Sequence, residues 1–367
     1  LKMSQTPNNN SENINNLISE MKKGNCVAFI GAGVSAPAVR TWPEVLDKLK
    51  THEDLKEIKD QLTELLKSSD DRETLLFDRE AAAEMIQSKL VQSKLDNKEF
   101  RKALKDALER KDPEGSKKVK DRYKLIREMP FHSLITTNFD NHLPGKTLDE
   151  ADFGQLLRKP YRGWIDSLEY PRKNPRALEN FVIKLHGDIE QDSAQVPLVF
   201  SRTGYRELLF ETPNYQSLIR TILATKVVVF LGFSFSDPYL NLIRSEVLSM
   251  LKSNDSDFRS PLAYAIMNDI SPDQVKYLEK HEGIAAISYC KTNDHQEFDE
   301  YLEKIHKETN PDEVLSDVLD DKKILWFDPN PENNLTGRNK LRKLWNSRGQ
   351  KLEDYLVEEE VLKDAIK

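Results

Sequence analysis

His186 follows the strand-like run VIKL and precedes Gly187-Asp188. A histidine at a strand end can serve as a general base near neutral pH, although a satisfied structural histidine is the commoner use of the residue. A second polar cluster, TTNFDN (Thr136–Asn141), leaves the apolar run before it. Polar groups at a buried strand end need partners, and the carboxyl ends of strands in an open α/β sheet are where ligands bind. Taken alone, Asn138 and Asp140 read better as caps of a following helix. A third segment, CVAFIGAGVS (Cys26–Ser35), ends an apolar run at Gly31-Ala32-Gly33 and continues to Ser35. Such a turn lets backbone N–H groups approach a phosphate closely, and the same residues build tight turns that hold no ligand. The fourth segment is VVVFLGFSFSDPYL (Val227–Leu240). Gly232 permits close approach of a ligand, Ser234 can donate to a phosphate or ribose hydroxyl, and Asp237-Pro238 reads as a helix start. Tyr205, in SRTGYREL, is either a wall of the site or a core aromatic.

These segments need a scaffold that brings strand ends together. Six short apolar runs read as buried strands: Cys26–Ile30, Ser133–Thr136, Phe181–Leu185, Val227–Leu231, Leu262–Met267 and Ala285–Tyr289. Several are apolar on both faces, as parallel strands covered by helices are. Helical patterns lie between them, at Ile14–Lys23, Trp42–Lys50, Tyr215–Ala224, Asp237–Lys252, Pro272–Glu282 and His295–Lys307. The alternation predicts a Rossmann-like, doubly wound parallel α/β sheet.

Two stretches break the alternation. Residues 41–130 hold amphipathic helical patterns, such as Arg79–Leu95 and Glu99–Arg110, and no convincing strand, which predicts a helical insertion subdomain. Pro144–Asn180 reads as a long connection of the kind that forms lids or walls. The predicted organisation is a disordered amino terminus over residues 1–14, a domain over 15–308, and a carboxyl-terminal extension over 309–367. In that extension, KKILWFDPNPENN looks like the opening strand of a receiver-like domain. Only Asp328 stands at the strand end, so the segment reads either as the start of such a domain or as a docking element.

The 367 residues include 55 basic and 62 acidic side chains, a net charge of −7, which argues against nucleic-acid binding through overall charge. The basic stretch Lys98–Arg127 has acidic residues interleaved and reads as a solvated helix face. Two cysteines and no CxxC pair leave nothing for a zinc site of the usual kind or a disulfide framework. No apolar run has the length of a membrane helix, and the polar start LKMSQTPNNNSEN is unlike a signal peptide. The expected location is the cytoplasm.

Taken in order, the four segments resemble the Sir2-like (sirtuin) NAD-consuming superfamily, and more closely its bacterial anti-phage defence branch, over roughly Asn15 to Ile305. The resemblance implies that Gly31, Ala32, Gly33 and Ser35 cradle the NAD pyrophosphate, with Gly232 and Ser234 as further cofactor contacts. It assigns Asn138 to the ribose and the attacking water, Asp140 to the nicotinamide carboxamide, and His186 to catalysis. It also implies NAD⁺ hydrolysis to nicotinamide and ADP-ribose, with NAD as substrate, in a gated effector of abortive infection. The expected partners are further copies of the chain and a separate sensor or activator protein, with no membrane and no direct nucleic-acid contact. Sirtuin deacylases also carry a four-cysteine zinc module, which this chain lacks the cysteines to build, so no zinc is expected. Two other readings stay open: a protein deacylase or ADP-ribosyltransferase, and a non-catalytic subunit that senses NAD or ADP-ribose.

Overall fold

The computed structural model describes residues 7–24, 26–67, 72–92, 97–147, 182–190, 198–233, 235, 238–251, 261–291 and 295–309. All of these belong to one compact unit, built from residues 1–172 and 179–309. A second unit, residues 173–178 with 310–367, lies outside the described residues, as do the carboxyl-terminal extension, most of the Pro144–Asn180 connection, Ser234 and Asp237.

Among the described residues seven parallel strands form the centre: β1 (Cys26–Ile30), β2 (Ser133–Thr136), β3 (Lys146–Thr147), β4 (Val182–Lys184), β5 (Val227–Leu231), β6 (Ala263–Asn268) and β7 (Ile284–Tyr289). Their order is β3-β4-β2-β1-β5-β6-β7. The chain winds outward from β1 through β2 to β4, then returns to the other side of β1 and winds through β5 to β7. The winding therefore reverses at β1, and the crevice that such a reversal opens lies at the carboxyl ends of β1 and β5.

Strand residues alternate between two cores. Ala28, Ile30, Leu134 and Val229 pack against α1 (Pro7–Lys22), a helix over Pro113–Glu128 and a helix over Gln296–Thr309. Val27, Phe29, Ile135 and Phe230 face the opposite side, against helices over Pro213–Thr225 and Pro238–Leu251. Covering both faces of a parallel sheet explains why β1, β2 and β4 are buried at every position and carry no alternating pattern.

α1 begins at Pro7, inside the polar amino-terminal stretch where composition suggested disorder to residue 14. Tertiary contacts supply what composition lacks. The Asn10 side chain accepts from Ser288 N at 3.0 Å and donates to Ser288 O at 2.7 Å, which occupies the open edge of β7.

The insertion has its own core. Helices α2 (Trp42–Leu49), α3 (Lys59–Leu65), α4 (Arg72–Gln92) and α5 (Asn97–Leu108) gather Leu46, Leu62, Ile86, Leu90 and Leu104. α2 opens with a capping box between Thr41 and Glu44, an arrangement worth about 1 kcal/mol. Ile189, Leu198 and Phe200 enter this core, and Phe139 packs on its edge. The helical subdomain thus braces the loops that follow β2 and β4. Among the described residues no helix is long and apolar enough to cross a membrane.

Candidate active site

The last residues of four neighbouring strands are in register: Lys184 with Thr136, Thr136 with Ile30, and Ile30 with Leu231. Adjacent strands lie about 4.8 Å apart, so this row is about 15 Å long. All four polar or glycine-bearing segments leave from it. Asn138 and His186 each stand two residues past a register partner.

The glycine turn first serves packing. Gly31 N donates to Leu231 O and Gly33 N to Gly232 O, both at 2.9 Å. A Cβ on Gly31 would lie 2.5 Å from Gly232 O, one on Gly33 2.8 Å from the same oxygen, and one on Gly232 2.5 Å from Val34 N. Gly232 also has φ +59°, the left-handed region. Backbone therefore meets backbone at the β1–β5 crevice. Ala32 and Gly33 remain exposed at the turn, whereas Ser35 is fully buried with Oγ 2.6 Å from Tyr123 OH.

Asn138 is buried beside this turn. Its Nδ2 donates to Gly31 O at 3.1 Å and lies 3.5 Å from Tyr123 OH. A backbone carbonyl only accepts, so the amide orientation is fixed with Nδ2 toward Gly31. The remaining group, Oδ1, is an acceptor suited to a hydroxyl or a water. Thr136 Oγ1 donates to Ile30 O at 2.9 Å and accepts from Asn138 N at 3.0 Å, fixing the backbone on which Asn138 stands.

Asp140 is also buried. Its Oδ1 accepts from His142 N at 3.0 Å, and the chain continues through bends to Leu143, so no helix follows that Asn138 or Asp140 could cap. Burial, and after it the Asp140 carboxylate, push the Tyr123 phenol far above its ordinary value, so Tyr123 stays a neutral hydroxyl.

His186 is 3% exposed, with Nδ1 3.4 Å from Tyr205 OH and the two rings edge to face at 4.9 Å. Gly187 follows at φ +91°, which turns the chain sharply after the histidine. Val199 N donates to His186 O at 3.0 Å and ties it to the segment leading to Tyr205. Among the described residues, no group of three or more His, Cys, Asp or Glu side chains could hold a metal ion.

Residues 132–287 match the family model of a SIR2-like domain. Over this stretch the chain is similar to SIR2-like domains. It is 26% identical over 239 residues to "NAD(+) hydrolase ThsA" of Enterococcus faecium, covering 64% of this chain and 42% of that protein. The same name belongs to a relative in Acinetobacter baumannii, 26% identical over 245 residues, 66% of this chain and 43% of that protein. "Defense-associated sirtuin 2" of Bacillus subtilis is 26% identical over 183 residues, 49% of this chain and 16% of that protein. The chain thus spans less than half the length of these relatives.

The matched stretch contains Asn138, Asp140, His186 and Gly232 but not the glycine turn. The structure joins the turn to it through Gly232 and Asn138. It also adds residues that motif reading passed over. Tyr123 carries no signal in sequence, because it lies on an ordinary amphipathic helix. Lys184 does carry one, as a charge inside a buried strand. Tyr205, open between wall and core, stands against His186.

Proposed function

We propose that this chain hydrolyses NAD⁺ at its N-glycosidic bond, giving nicotinamide and ADP-ribose. One observation carries this: Asn138 and His186 leave adjacent strands two residues past a register pair, beside a glycine turn bonded to Asn138. The names of the relatives, NAD(+) hydrolase and defence-associated sirtuin, support the substrate and the setting.

In the reaction the bond between ribose C1′ and the nicotinamide nitrogen breaks and its electron pair leaves with neutral nicotinamide. A water oxygen then bonds C1′ and loses a proton. The transition state is an oxocarbenium-like ribose, and selective stabilisation of that charge is what accelerates the step. Asn138 Oδ1, held outward by the Gly31 bond, accepts from the water or a ribose hydroxyl. His186 takes up the proton, a role worth about 10²- to 10⁴-fold in rate. The exposed Ala32–Gly33 turn receives the pyrophosphate, Asp140 the carboxamide, and Gly232 and Ser234 complete the cofactor contacts.

An unrestrained NADase would poison its own cell. We therefore assign it to a gated complex, made of copies of this chain with a separate sensor protein, that depletes NAD⁺ during phage infection. The test is chromatographic detection of nicotinamide from NAD⁺ with wild type, Asn138→Ala and His186→Ala, each alone and with proteins encoded beside it. Release by wild type only, with linear ADP-ribose as co-product, is the expected result. Tight NAD⁺ binding without release under every condition would replace the hydrolase reading with the sensor reading.

A further inference from the structure

Lys184 ends β4 with its side chain fully buried. An ammonium in such a place is costly unless it is paired and fully hydrogen-bonded. It has three donors, and three acceptors surround it: Asp188 Oδ2 at 3.0 Å, Asp140 O at 2.6 Å and Phe139 O at 3.3 Å. Two of these lie on the loop after β2, directly following Asn138. The third lies on the loop after β4, two residues past His186. Two backbone bonds run beside this link, Leu185 N to Thr136 O at 2.8 Å and Ile189 N to Phe139 O at 3.1 Å. Buried Arg101 donates to Asp188 O from the helical subdomain.

We propose that Lys184 is a positioning residue that fixes the Asn138–Asp140 loop against the His186 loop; its catalytic consequence rests on the hydrolase reading above. A buried ion pair is a weak source of stability, since well-packed apolar residues of similar volume often do as well. What an apolar residue lacks is direction. Lys184 aims donors at two consecutive carbonyls and so sets the backbone that carries Asn138 and Asp140. Misplacing a reacting group by about 1 Å can cost about 10²-fold in rate.

The test removes the charges together, so that no buried charge is left unpaired. Lys184→Met/Asp188→Asn is compared with wild type by thermal unfolding, amide hydrogen exchange and the kinetics of nicotinamide release. The expected result is a melting temperature within a few degrees of wild type. Exchange in 137–142 and 185–190 accelerates more than about tenfold while β1 and β5 stay protected. The turnover number falls about 100-fold with KM changed less than about threefold. Should the double variant fail to fold, Lys184→Arg keeps the charge but moves the donors, and the same loss of turnover is expected of it. Wild-type exchange in both loops, or wild-type turnover in either folded variant, would overturn the proposal. Should wild type release no nicotinamide, the hydrolase reading fails, and loop exchange alone decides what Lys184 holds.

Discussion

Asn138 Nδ2 donates to Gly31 O at 3.1 Å and so joins two segments 107 residues apart in sequence. This bond orients the amide and leaves Oδ1 as its acceptor. Asn138→Asp keeps the shape but sets a carboxylate oxygen against the Gly31 carbonyl, with no donor between them. We predict loss of nicotinamide release by at least about 100-fold and destabilisation of about 1–3 kcal/mol. Asn138→Ala should lose comparable activity. Steady-state kinetics and denaturant unfolding on both variants check this.

The glycines at the β1–β5 crevice should rank by what a methyl group would meet. Gly232→Ala combines a positive φ with a Cβ 2.5 Å from Val34 N, whereas Gly24, at φ +69°, has nothing within 4 Å of an added Cβ. Gly24→Ala should therefore cost about 1 kcal/mol and leave NAD⁺ binding unchanged. Gly232→Ala should cost roughly 2–4 kcal/mol and abolish binding, because the turn carrying Ala32 and Gly33 must shift. Unfolding midpoints and calorimetric titration with NAD⁺ separate the two.

Tyr205 meets His186 through both its hydroxyl and its ring. Tyr205→Phe keeps the ring contact and removes the hydroxyl that helps set the imidazole tautomer. The expected result is a turnover number lowered about 3- to 30-fold at an unchanged melting temperature. Tyr205→Ala should lower both. Equal turnover for wild type and Tyr205→Phe would remove the hydroxyl from the mechanism.

Burial, and then the nearby Glu20 charge, push the Cys26 thiol up to about 12 from an ordinary value of 9.0. Between those values the folded chain keeps a proton that the unfolded chain loses. Stability should therefore fall as pH rises above 9, by at most about 1.4 kcal/mol per pH unit from this group. Cys26→Ala should flatten that slope in denaturant titrations at pH 8 and 10. In the native protein a thiol reagent should modify exposed Cys290 quickly and leave Cys26 until unfolding.

The strands were legible because each is a short apolar run buried on both faces, and Val227–Leu231 and Ser133–Thr136 appear at the boundaries read from sequence. β3 was not, since two residues, Lys146-Thr147, carry no periodicity and pair only because Ile183 and Lys184 lie beside them. The start of α1, from Pro7 to Asn13, was equally hidden, because its polar side chains are satisfied by β7, far along the chain, whereas the rest of the helix was read at Ile14–Lys23.

For the site, local sequence determined which residues leave strand ends: Gly31, Asn138, His186 and Gly232. Backbone chemistry makes that visible, as apolar runs stop where glycine or polar groups begin. Only the tertiary structure decided how they meet. Strand register sets Lys184, Thr136, Ile30 and Leu231 in one row. Ser35 turns inward to Tyr123, and Lys184 bridges the loops after β2 and β4. These are contacts between residues distant in sequence, fixed by sheet order and packing, and no local pattern encodes which partner a buried hydroxyl or ammonium finds.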